Sequence, residues 1–157
     1  MKFVLIQQAT HGVDVSTSTL IAFPPQSVSG STAINGQIID RLNYREAIFT
    51  LAWAAVSGAP TGATFALIVQ HGNVNTLSDA ATLFTLETAL NVYTAAGSKE
   101  YHLNLQSANR YLRIVLTPTY TGGTTPANIT AGDMIMGGAV VDPVPTLGAS
   151  AATVFGA

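Results

Sequence analysis

The sequence predicts an all-β protein, a jelly-roll-like antiparallel β-sandwich with extended N- and C-terminal arms. Three observations carry this. Short segments alternate bulky apolar side chains with small or polar ones, the period-two pattern of a strand that buries one face. Clusters of Gly, Pro, Asn, Ser and Thr separate these segments into seven or eight short strands. No stretch reads as a long amphipathic helix, which leaves sheet packed on sheet as the architecture.

Taken in order, the chain divides into an N-terminal strand and extended arm (1–35), a sandwich core (36–142) and a C-terminal tail (143–157). Residues 2–9 read as a strand in which Phe3 and Leu5 alternate with Val4 and Ile6. Residues 13–35 are rich in Ser, Thr and small apolar groups. Pro24-Pro25 excludes a central strand there, because proline cannot donate to a ladder, so the segment reads as an arm or edge. Asn35-Gly36 is a turn signal.

Asp40 to Glu46 then packs four of the fourteen charged residues, Asp40, Arg41, Arg45 and Glu46, into seven positions and runs straight into a strand. From Ala47 onward Phe49, Leu51 and Trp53 share one face, while Ile48, Thr50, Ala52 and Ala54 occupy the other. After the loop Ser57–Gly62, Phe65, Leu67 and Val69 repeat the pattern, which suggests that the two strands form a hairpin. Ala80–Leu90 fits either a short helix or a strand and reads as an irregular segment with a short strand. Lys99–Gln106 alternates through Tyr101, Leu103 and Leu105, and Tyr111–Thr119 turns Leu112, Ile114 and Leu116 inward with Arg113 outward. A final strand is expected around Met134 and Met136, extended by Ala139-Val140-Val141, and the Pro-, Gly- and Ala-rich tail cannot pack a core of its own.

Charged residues make up 9% of the chain, against about 25% in an average domain. Ser, Thr, Asn and Gln replace part of the missing coat; the rest fits either a subunit covered by neighbours or a neutral, Thr-rich monomer. Net charge is −2 and the six basic residues form no stripe, so nucleic acid is not an expected partner. Cysteine is absent, which excludes disulfides and thiolate metal sites. The apolar run at the N-terminus is too short for a signal peptide, and no run is long enough to span a bilayer, so no membrane partner and synthesis in the cytoplasm are expected.

Chemistry is sparse. His11, His71 and His102 lack neighbours at metal-ligand spacing. No nucleophile-elbow motif occurs, and the carboxylates fall mostly at strand ends or in loops, as solvated turn residues do. Gly122-Gly123 lacks the lysine and helix of a phosphate cradle. No enzyme activity, cofactor or metal is therefore expected. The cluster at 40–46 is a structural candidate, either a set of exposed ion pairs worth about 0–1 kcal/mol each at a sheet edge or an orienting contact in a subunit interface.

The runs Asp40–Leu51 (DRLNYREAIFTL), Thr64–Gln70 (TFALIVQ) and Asn109–Thr117 (NRYLRIVLT) resemble small proteins encoded beside the major capsid protein in tailed bacteriophages, the head decoration or cement proteins. The likeness covers residues 36–141. It implies a jelly-roll-like sandwich, commonly a homotrimer, that binds the major capsid protein on the outside of the virion at capsomer junctions and stabilises the expanded shell, with no cofactor and no reaction. On this reading Phe49, Leu51, Trp53, Phe65, Leu67, Val69, Leu112, Ile114 and Leu116 form the core, and Tyr44, Arg45, Arg113, Val154 and Phe155 lie at interfaces. The rival expectation is a non-enzymatic jelly-roll module of a phage fibre or head appendage that binds carbohydrate or a receptor.

Overall fold

The computed structural model describes residues 20–139. They form nine strands: β1 (Leu20–Ser29), β2 (Ile34–Asn35), β3 (Ile39–Asp40), β4 (Tyr44–Trp53), β5 (Gly62–Gly72), β6 (Ala81–Asn91), β7 (Gly97–Asn104), β8 (Tyr111–Thr121) and β9 (Ala127–Ala139). The first sheet has the order β1-β9-β4-β7 and the second β2-β8-β5-β6, with β3 also on β8. All pairings are antiparallel.

The pairings are nested. β1 pairs with β9, β2 and β3 with β8, β4 with β7, and β5 with β6, as in one long hairpin whose tip is the β5–β6 connection. Rolling that hairpin brings β4 beside β9 and β5 beside β8. This wrapping is a jelly roll. β4 and β5, expected from their matching faces to form a hairpin, lie in different sheets instead. Alternation specifies which face of a strand is buried and not which strand is its neighbour, and here each strand offers its bulky face to the same core from opposite sides.

Phe49, Leu51, Phe65, Leu67, Val69, Leu112, Ile114 and Leu116 are all fully buried in that core. Each contributes about 1.5–3 kcal/mol of burial. Trp53, assigned to the core from sequence, is only partly buried. It is the last residue of β4, at the open end of the sandwich, where its ring lies against Gly97 and its indole N–H donates to the Ala95 carbonyl at 3.1 Å. A buried indole needs a polar partner, and this one is found at the rim.

β1 supplies Phe23 and Val28 to the same core, so residues 20–29, which the sequence placed in an arm or edge, belong to the sandwich. β1 does lie at an edge, and its register with β9 breaks between Phe23 and Gln26, where Pro24-Pro25 leaves the ladder. The 80–90 segment, expected to be irregular, is an eleven-residue strand, β6. Its three register shifts against β5 explain the mixed sequence pattern, because each bulge resets the alternation. The expected strand at 2–9, the tail at 143–157 and the extension at 140–141 lie outside the described residues.

Candidate interaction surface

The registers sort the loops into two ends. Ser29 faces Ala127, Trp53 faces both Gly97 and Thr130, and Gly62 faces Thr121, which gathers the loops 30–33, 54–61, 92–96 and 122–126 at one end. Tyr44 faces Ala139, Asp40 faces Tyr111 and Gly72 faces Tyr111, which gathers 41–43, 73–80 and 105–110 at the other. The first end contains no Asp, Glu, Lys or Arg in any of its four loops. The second holds Asp40, Arg41, Arg45, Glu46, Asp79 and Arg110.

At the charged end the side chains brace the loops. Arg41 donates from Nε to the Asn109 carbonyl at 2.8 Å, from Nη1 to the Tyr44 carbonyl at 2.8 Å and from Nη2 to the Ala108 carbonyl. One planar guanidinium thus ties the β3–β4 turn to the β7–β8 loop. Arg110 forks onto Asp40, with Nη2 2.7 Å from Oδ2. The Arg110 guanidinium holds the Asp40 carboxyl below its ordinary value of 3.8. Asp79 accepts the backbone N–H groups of Asn73 at 2.7 Å and Val74 at 3.2 Å, the former being the main reason its carboxyl also sits low. His71 Nδ1 accepts the Asn109 N–H at 3.0 Å, so this histidine is engaged in fixing a loop.

The neutral end is rigid for a different reason. The loops 54–61 and 122–126 interlock: Thr124 N–H donates to the Gly58 carbonyl at 2.8 Å, and Ser57 bridges to Ala127. Gly58 and Gly123 both have left-handed φ, +77° and +81°. A Cβ on either would stand 2.5 or 2.6 Å from a carbonyl oxygen of the opposite loop. Beside them a shallow depression of about 510 Å³ is lined by hydroxyls and glycine, including Ser29, Ser31, Thr119, Tyr120 and Thr125.

The outer face of the first sheet carries exposed isoleucines set among polar groups, with Asp133 beside Ile21 and Thr50, and His102 beside Ile48. Ile21 is 51% exposed, Ile129 60% and Ile135 37%, with Ile48 directly opposite Ile135. Tyr44 and Arg45 sit at the charged end of this sheet, whereas Arg113 lies on the outer face of the second, its Nε donating to Gln70 Oε1 at 2.8 Å. The fold does not bring these three together. Val154 and Phe155 fall outside the described residues. Of these isoleucines the sequence marked Ile48 alone, at an alternate position of β4 among small groups. The Arg41 brace carried no local signal, since two of its acceptors lie 67 and 68 positions away.

Among the described residues no group of three or more His, Asp or Glu side chains is placed to hold a metal ion. The geometry defines a jelly-roll sandwich whose distinctive features are surfaces. Neither a family model nor a curated protein matches the sequence. In fold the chain is similar to the structure of the infectious bursal disease virus Gx strain, with TM-score 0.55 and 10% identity over 75% of this chain and 32% of that one. The VP2 subviral particle of the same virus matches with TM-score 0.55 and 10% identity, over 75% and 31% of the two chains. The chain therefore spans about a third of the length of these viral proteins.

Proposed function

We propose that this protein is a capsid decoration, or cement, protein: a non-enzymatic subunit that binds the major capsid protein on the outer surface of a bacteriophage head at capsomer junctions. It is made in the host cytoplasm, associates with itself as a homotrimer and stabilises the shell. The observation that carries the reading is the outer face of the first sheet, where Ile21, Ile129 and Ile135 are exposed and Ile48 lies beside Ile135, a mixed face with Asp133 and His102 among the isoleucines on a protein with few charges to spare. Such a face suits burial against other protein. The jelly roll it shares with a viral particle protein supports the same class of role. On a lattice, many copies gain from avidity, so each contact can be modest.

The test is to mix the protein with expanded capsids that lack it. Saturable binding at a fixed ratio to the capsid protein, with a higher shell disruption temperature, is expected; no binding to such capsids overturns the reading. The second reading, a binding module for a neutral carbohydrate or receptor, draws on the hydroxyl-lined depression at the neutral end. Titration with neutral oligosaccharides separates the two, because the cement reading expects no saturable response.

A further inference from the structure

We infer that two copies of this chain pair along β7, edge to edge and antiparallel, joining their first sheets into one continuous sheet across a twofold axis. A sheet edge is a row of unpaired N–H and C=O groups, and proteins interrupt edges that are meant to stay single. The four edges here differ. β1 is broken at Pro24-Pro25, β2 and β3 are fragments of two residues each, and β6 carries three register shifts. β7 alone runs unbroken, in register with β4 from Gly97 to Asn104.

The direction of its free groups follows from one bond. Leu105 N–H donates to the Arg45 carbonyl at 2.7 Å, one step beyond the Asn104–Glu46 pair. Opposed residues in an antiparallel ladder alternate between bonded and non-bonded pairs, so Leu103, Tyr101 and Lys99 also bond toward β4. Ser98, Glu100, His102 and Asn104 present their N–H and C=O groups outward.

Charges on an edge ordinarily discourage pairing, and here their order makes the edge self-complementary. With Tyr101 on the twofold axis, Glu100 of each copy stands opposite His102 of the other, and Ser98 opposite Asn104. Glu100 and His102 already meet within one copy, Nε2 2.6 Å from Oε1, so pairing gathers two carboxylates and two imidazoles in alternation around the axis. Slipping the register by two residues places Glu100 against Glu100 in one direction, which like charge disfavours, and His102 against His102 in the other, which loses both carboxylate–imidazole pairs. Lys99 does not oppose the pairing, because its ammonium is held by Glu87 of the same copy. Pairing also places the two Tyr101 side chains together in a non-bonded pair, beside the depression of about 500 Å³ formed with Phe84 and Leu86 of β6. This pairing stands apart from capsid binding, since it can link two single chains or two trimers.

The test is the mass of the purified full chain by sedimentation equilibrium. An even multiple of the 16.2 kDa chain is expected. His102→Pro removes an outward N–H together with the imidazole that meets Glu100, and should halve that mass while the circular dichroism spectrum stays that of a folded sheet. Glu100→Lys should likewise halve it, and Glu100→Lys combined with His102→Glu should restore it. A wild-type mass that is an odd multiple, a folded His102→Pro protein of unchanged mass, or failure of the double variant to restore pairing overturns the inference. Capsid binding measured on the same variants reports separately on the cement reading.

Discussion

Asp40 and Arg110 stand 70 positions apart in the chain and meet in a forked pair, Arg110 Nε 3.1 Å from both carboxylate oxygens of Asp40. The pair closes β3 against the start of β8. Because the folded-state value of Asp40 lies below 3.8, the ionised form favours folding. Its contribution is complete above the unfolded value and is lost as pH falls through the lower folded one. Asp40→Asn should therefore lower the melting temperature slightly near neutrality, where the wild-type contribution is complete, and converge with the wild type in acid, so that its decline below about pH 4 is shallower. An acid limb as steep as that of the wild type would contradict this role.

Arg41 makes the larger contribution at the same end. Its three charge-assisted bonds end on the main-chain carbonyls of Asn109, Tyr44 and Ala108 and so hold two connections together. Arg41→Ala should cost about 2–3 kcal/mol in urea unfolding, in line with bonds that involve a charged donor. Arg41→Lys should recover less than half of that, because an ammonium cannot reproduce the planar fork.

The two large aromatics of β4 should differ in consequence. Phe49 is fully buried and stacks on Tyr101 with ring centroids 6.0 Å apart, so Phe49→Ala should cost about 3–5 kcal/mol. Trp53, partly buried at the rim, should cost clearly less when replaced by alanine. Equal losses in denaturant unfolding would place Trp53 in the core after all.

Interlocked loops make the neutral end sensitive to a single methyl group. Gly58→Ala and Gly123→Ala each combine a left-handed φ with a collision against a backbone oxygen, and neither neighbour can swing aside. Each should destabilise by about 1–3 kcal/mol. Gly30→Ala is the control: it shares the positive φ, +71°, but has nothing within 4 Å, so it should cost less than either.

Deleting residues 143–157 tests the tail as an anchor in the proposed capsid complex. If Val154 and Phe155 lie at an interface, capsid affinity should fall about tenfold or more while the melting temperature stays put, tenfold being the equivalent of about 1.4 kcal/mol. Unchanged affinity would remove them from the interface.

The sequence by itself determined the class of the fold and most of its interior. Alternation marks Phe49, Leu51, Phe65, Leu67, Leu112 and Ile114 as buried because each strand has only two faces, and Pro24-Pro25 marks an edge because proline lacks the donor a central position needs. Partnership was the tertiary structure's decision. β4 and β5 show the same pattern and sit in opposite sheets, β6 hides its strand behind bulges, and Trp53 ends at a rim set by strand length and by the loop that offers Ala95. The surfaces divide in the same way. Scarce charge and the small groups around Ile48 were legible in one dimension, but the Arg41 brace, the Asp40–Arg110 pair and the gathering of four uncharged loops at one end were not. They join positions tens of residues apart, and local periodicity holds no record of which strands the rolled hairpin brings side by side.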